Sequence, residues 1–226
     1  MIAEIASTVA PRAEDPAWAV FITTVVSHLT LIAPIKQLLE RRWMFEVSIS
    51  IFGLCCSFMY HTCQSFDTRI FLTELQWHRL DNIGVLCSFG IFWTYMACIE
   101  SPVTEAYVKY LCVFVTLLAQ ECDPWNELYT FVPVVLFSMI PFYFHIFVHQ
   151  RWPRYDKKNF LAGFGLLAAA LPFFVAGLDD ANDPFRIFHG LWHLFVGISS
   201  FYLWRIVKQP GAVALQPLRD RVLLVR

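Results

Sequence analysis

The stretch from Met44 to Cys63 reads MFEVSISIFGLCCSFMYHTC, and only Glu46 in it is formally charged. About 20 apolar residues match the thickness of a bilayer's hydrocarbon core when wound as a helix. The run closes on an ionisable side chain, His61, which follows Ser57 by four residues and shares its helix face. An apolar run of spanning length predicts a membrane helix. A histidine near its end predicts that the helix carries more than structure.

Six further stretches have the same character. They run roughly over residues 18–38, 80–99, 103–120, 128–148, 160–178 and 185–207, and with 44–63 they make seven predicted spans. The fourth is the weakest, interrupted by Glu105 and Lys109. Composition agrees, because the 226 residues are 58% hydrophobic and 15% charged, against about 25% charged in soluble domains. The 22 Phe, 8 Trp and 8 Tyr exclude a disordered chain. A net charge of −1 leaves no basic surplus for nucleic acid. Seven spans with short connections predict one all-α seven-transmembrane bundle over residues 1–226, with 209–226 as a tail. Residues 1–15 lack the basic start and apolar core of a signal peptide, so the first run reads as a retained span.

Lysines and arginines near span ends set orientation. Lys36, Arg41, Arg42, Arg151, Arg154, Lys157, Lys158, Arg205, Lys208, Arg219, Arg221 and Arg226 fall on one side of a seven-span topology; Arg12, Arg69, Arg79 and Arg186 fall on the other. The C-terminus is therefore expected in the cytosol and the N-terminus outside or in a lumen. The protein reads as a multi-pass resident of the plasma membrane or an endomembrane (ER or Golgi). Its expected partners are membrane lipids, and a homodimer is one option for its assembly.

Ionisable groups within spans are costly and are functional candidates. His189 and His193 are four residues apart at the start of the seventh span, a spacing that lets two imidazoles on one helix bind one metal ion. Asp81 opens the third span. With this topology His61, Asp81, His189 and His193 share one depth. Three histidines with an open fourth position are a catalytic zinc arrangement. Asp81 would then serve as general base or orient a ligand, and Ser57 would donate to a developing oxyanion or bond back to its own helix. The alternative is an interhelical hydrogen-bond network that holds the bundle together.

Other residues read more simply. His145 and His149 repeat the spacing at the opposite end of the bundle, with no third ligand in the predicted topology. His28 is expected to make an interhelical hydrogen bond, and His78 to be a solvated interfacial residue. Glu14, Asp15, Asp179, Asp180 and Asp183 read as solvated loop acids. Trp18, Trp77, Trp125, Trp152 and Trp204 read as an interfacial belt. The seven cysteines read mainly as small hydrophobes, with Cys63 and Cys122 placed at segment ends where an oxidising compartment would let them pair.

The set Ser57-x-x-x-His61, Asp81 and His189-x-x-x-His193 across seven spans resembles the CREST superfamily of membrane hydrolases. The wording Tyr60-His61-Thr62-Cys63, Leu75-Gln76 before Asp81, and His189-Gly190-Leu191-Trp192-His193 is similar to its transmembrane protein 8 and myomaker-like family. The resemblance implies a seven-helix bundle holding Zn2+ on His61, His189 and His193, beside Asp81 and Ser57. It implies a zinc-dependent hydrolase acting on an amide or ester bond of a lipid that enters from the outer leaflet. The other reading is a non-enzymatic fusion or remodelling protein with a structural zinc. No cysteine follows Cys122, so the Cys-rich lipidated tail of myomaker-like members has no counterpart, and the poor match of Glu14, Asp15 and Trp18 to an alkaline-ceramidase calcium motif disfavours ceramide.

Overall fold

A computed structural model of the chain describes residues 15–124 and 126–207. Arg12, Glu14, Trp125, Lys208 and the tail 209–226 with its arginines lie outside the described residues. The described residues are all-helical apart from two isolated antiparallel bridges, Ile70 with Leu72 and Tyr155 with Val207.

Seven long helices follow one another: α1 Ala17–Glu40, α2 Met44–Phe66, α3 Glu74–Met96, α4 Pro102–Cys122, α5 Glu127–Val148, α6 Lys157–Ala176 and α7 Ile187–Leu203. Each predicted stretch lies on one of them. Five (α1, α2, α4, α5 and α6) are long and apolar enough to cross a membrane, which makes the chain a multi-pass membrane protein. α3 begins at Glu74, earlier than its apolar stretch, because Thr73 and Gln76 form a capping box that starts the helix. That start brings Glu74, Arg79 and Asp81 into α3. In the fourth stretch, Lys109 is bonded to Glu46 of α2 and to Glu105 one turn back, so the interruption is an internally paired charge cluster.

α1 is not a regular helix. Ile22–Val26 form a π-turn and Ser27–Leu31 a 3-10 stretch. The segment Thr23-Thr24-Val25-Val26-Ser27-His28 supplies the cause. Its β-branched residues are stiff, and its side chains compete for the helix carbonyls. Thr24 bonds to the Val20 carbonyl, while Ser27 and His28 both bond to the Thr24 carbonyl. The distortion turns His28 into the bundle, where it is buried.

Packing follows small residues. Gly53 of α2 and Gly84 of α3 meet so closely that a Cβ on Gly84 would lie 2.5 Å from Gly53 Cα. A Cβ on Gly190 of α7 would lie 2.5 Å from the Thr23 carbonyl oxygen of α1. Such close approach is how apolar helices pack where lipid offers no hydrophobic driving force. The main aromatic and aliphatic cluster joins α1, α2, α3 and α7 through Leu38, Val47, Phe92, Leu203 and Trp204. It sits at the end of the bundle opposite the α2–α3 and α6–α7 connections. Trp204 is therefore core and not belt: Arg41 bonds its carbonyl and its ring packs on Trp43, Phe92 and Tyr95. Trp18 and Trp152 are exposed as a belt requires. All seven cysteines are free; Cys63 is buried and Cys122 exposed, so the two do not pair.

Candidate metal centre

α2, α3 and α7 bring the predicted residues to one end of the bundle. The Nε2 atoms of His61 and His193 lie 3.1 Å apart, and those of His61 and His189 lie 3.3 Å apart. The three rings meet at steep angles, with centroids 4.6–5.1 Å apart. Four-coordinate zinc with nitrogens at about 2.0–2.1 Å places its ligands about 3.3 Å from each other. The His61–His193 and His61–His189 spacings each suit two ligands of one ion.

The protonation pattern points the same way. Asp180 is an acceptor only, and Gln64 Nε2 donates to its Oδ2 (3.4 Å) and to the Tyr60 hydroxyl (3.3 Å). Gln64 must then turn Oε1 towards His61, whose Nδ1–H donates to it (3.3 Å). In His61 the proton is committed away from the centre, so Nε2 carries a lone pair there. The His61 lone pair facing His189 and His193 is open to a cation, or to an Nε2 proton on either of those rings. Fixing the second ring nitrogen in this way is the usual support for a histidine ligand.

Two supports come from residues whose sequence context suggested something else. Asp180 and Asp183 are not solvated loop acids; both are buried. Asp180 pairs with the buried guanidinium of Arg186, which completes a chain from Arg186 through Asp180 and Gln64 to His61. Asp183 accepts the backbone N–H groups of Phe188 (2.8 Å) and His189 (3.0 Å), capping α7 and fixing His189. Burial pushes the Asp183 carboxyl above its usual range, opposed by these donors. Phe185 and Arg186 are left-handed at φ 53° and 55°, a conformation costing roughly 1–2 kcal/mol per residue. Asp15 and Thr23 hold Phe185 by its N–H and its carbonyl, so Asp15 is a clamp as well.

His28 stands beside the triad. Its ring stacks on His193 at a centroid distance of 3.9 Å. Ligand nitrogens of His28, His61 and His193 all lie within 4.8 Å of one another, and among the described residues this is the set close enough to hold a metal ion; the sequence expectation had His189 in the place of His28. Both nitrogens of His28 are engaged, however: Nδ1 with the Thr24 carbonyl (2.6 Å) and Nε2 with Ser57 Oγ (2.8 Å). It makes the interhelical bond expected of it. His78 is half-buried with its ring edge-on to Tyr60. At the other end, His145 donates to the Met96 carbonyl and His149 to the Ala97 carbonyl. That pair satisfies the last carbonyls of α3 and is not part of a metal cluster among the described residues.

A cavity of about 150 Å³ opens beside the histidines. His28, Ser57, Asp81 and His193 line one end of it, and Phe92, Leu203 and Trp204 the other. Ser88, Ser199 and Ser200 line it too, but each hydroxyl bonds to a backbone carbonyl, which leaves an apolar wall. Asp81 is buried, and its Oδ1 has no hydrogen-bond partner among the described residues. The sequence pointed to Ser57, His61, Asp81, His189 and His193. It offered one weak signal for Gln64, which shares a face with His61 three residues on, and none for Asp180 or Arg186.

No curated protein matches the chain. Residues 16–194 match a family described as a protein of unknown function (DUF3522). That segment runs from the start of α1 through His193 and contains His28, Ser57, His61, Asp81, His189 and His193, and the chain belongs to this DUF3522 family.

Proposed function

We propose that the protein is a seven-span membrane hydrolase of the CREST type that cleaves an ester or amide bond of a lipid, with zinc on His61, His189 and His193. The approach of the His193 and His189 Nε2 atoms to that of His61, at 3.1 and 3.3 Å, with the His61 ring proton committed to Gln64, carries this reading. α3 and α7 would complete the seven spans: α3 buries Asp81 and pairs its partly exposed Arg79 with Glu121, and α7 is short but carries no charged residue. The lysine and arginine bias places the site towards the outer face.

Zinc held there would act as a Lewis acid towards the scissile carbonyl or a water. The chain's own residues do the rest. Asp81 Oδ1, buried and unpartnered, holds or accepts a proton beside Ser57. The cavity takes the substrate's apolar part. A 150 Å³ space is benzene-sized, so it holds a few carbons of an acyl chain, directed from the site towards Leu203 and Trp204. The chain would lie beneath the site within the bundle, deeper than an outer-leaflet approach alone requires.

Metal analysis of the purified protein beside a His189→Ala, His193→Ala variant tests the centre. About one zinc per wild-type chain and none in the variant is expected; equal content in both refutes the assignment. Lipid profiles of cells expressing wild type or Asp81→Asn test the reaction, and identical profiles refute catalysis. The second reading, a structural zinc in a myomaker-like remodelling protein, is favoured by the reach of His28 to His61 and His193. A fourth histidine ligand would close the site. X-ray absorption that counts four histidine nitrogens would decide for it.

A further inference from the structure

We propose that Ser57 and His28 form a nucleophilic dyad, so that the lipid's acyl group passes through an ester on Ser57. This rests on reading the chain as an acyl hydrolase and names the residue that attacks. Activated serines are recognised by geometry: a base within about 2.6–3.2 Å of the hydroxyl, itself oriented by a third group. His28 meets both conditions. Its Nδ1–H is held by the Thr24 carbonyl at 2.6 Å, which leaves a lone pair on Nε2, and Nε2 lies 2.8 Å from Ser57 Oγ. The π-turn and 3-10 stretch of α1 exist around this contact, since Thr24 and His28 flank it. With Nδ1–H committed to Thr24, His28 Nε2 is an acceptor and the Ser57 hydroxyl donates to it. The Ser57 proton is then not available for an oxyanion, the role suggested by the sequence. Both residues line the apolar cavity that would hold an acyl chain.

The chemistry balances without another reagent. Ser57 Oγ bonds to the carbonyl carbon while its proton moves to His28 Nε2. The bond to the lipid's alcohol or amine breaks as His28 returns that proton to the leaving group. The acyl chain remains as an ester on Ser57. A water then attacks this ester and gives a proton to His28; the carboxylic acid leaves and the proton returns to Ser57. Asp81 Oδ1, beside Ser57 on the cavity wall, holds that water.

The test uses purified full-length protein in detergent and a short-chain alkyl fluorophosphonate, which labels activated serines. Mass spectrometry is expected to find the adduct on Ser57. Labelling should vanish in Ser57→Ala and fall at least tenfold in His28→Phe, which keeps a ring against His193. A burst of about one nitrophenol per chain from p-nitrophenyl butyrate should accompany it. Absence of the adduct from Ser57 in wild type, or equal labelling of His28→Phe, overturns the dyad. Lipid turnover that persists in Ser57→Ala with zinc bound removes the dyad and leaves the hydrolase standing. An adduct on Ser57 in a protein without zinc does the reverse.

Discussion

Substituting Gly84 by alanine tests how the α2–α3 contact positions the site. Gly84 lies one turn after Asp81 on α3, and Gly53 one turn before Ser57 on α2. The added Cβ would lie 2.5 Å from Gly53 Cα and 3.2 Å from Gly53 N. Carbon atoms rest about 3.5–4.0 Å apart, so the helices must part by roughly 1 Å. Both contacts are backbone, and no rotamer change relieves them. Overpacking of this kind costs about 1–3 kcal/mol. Gly165 on α6 is the matched control, because a Cβ there meets nothing within 4 Å. Gly165→Ala removes a helical glycine and should stabilise by about 0.5–1 kcal/mol. The two variants should therefore move in opposite directions in an SDS titration of unfolding in mixed micelles. The metal should stay, because its proposed ligands are on α2 and α7. Any turnover should fall by about 100-fold, because a 1 Å shift of Asp81 against Ser57 misplaces a reacting group. Identical unfolding of Gly84→Ala and Gly165→Ala would refute the packing argument. Loss of metal with Gly84→Ala would refute the division of labour between α3 and α7.

Three further outcomes are expected. Gln64→Leu removes the acceptor that fixes the His61 proton and should weaken zinc about 10–100-fold in chelator competition; unchanged affinity would exclude the relay from Arg186. Lys109→Ala leaves Glu46 buried without its cation and should destabilise by about 3–5 kcal/mol, while a Lys109→Met, Glu46→Leu, Glu105→Gln variant should recover most of that loss in the same titration. His149→Ala should lower stability by about 1 kcal/mol through the lost bond to Ala97 and leave zinc content unchanged; a fall in zinc would make the second histidine pair a metal site.

Sequence and structure each supplied part of the centre. The apolar runs and the histidine spacings were legible because both are local: hydropathy is summed along the chain, and residues four apart share a helix face whatever surrounds them. The helices α1, α2 and α4–α7 and the candidate ligands His61, His189 and His193 follow from that. Charged α3 was harder, since its capping box starts it outside the apolar stretch. Asp180, Asp183 and Arg186 read as loop charges because nothing local distinguishes a solvated acid from one folded beneath its own loop. The reading of Trp204 failed for the same reason.

By itself, then, the sequence determined that this is an all-helical membrane protein and which side chains intrude on its apolar mass. Only the tertiary structure decided what those side chains face. The Asp180 contact that orients Gln64 behind His61, the Ser57–His28 contact and the apolar cavity depend on neighbours outside each residue's own helix. Those neighbours are far apart in the chain, and close packing at Gly53, Gly84 and Gly190 brings them together. A hydrogen bond or a metal site forms from atoms within about 3 Å, and no pattern along one strand of sequence specifies a distance across a bundle.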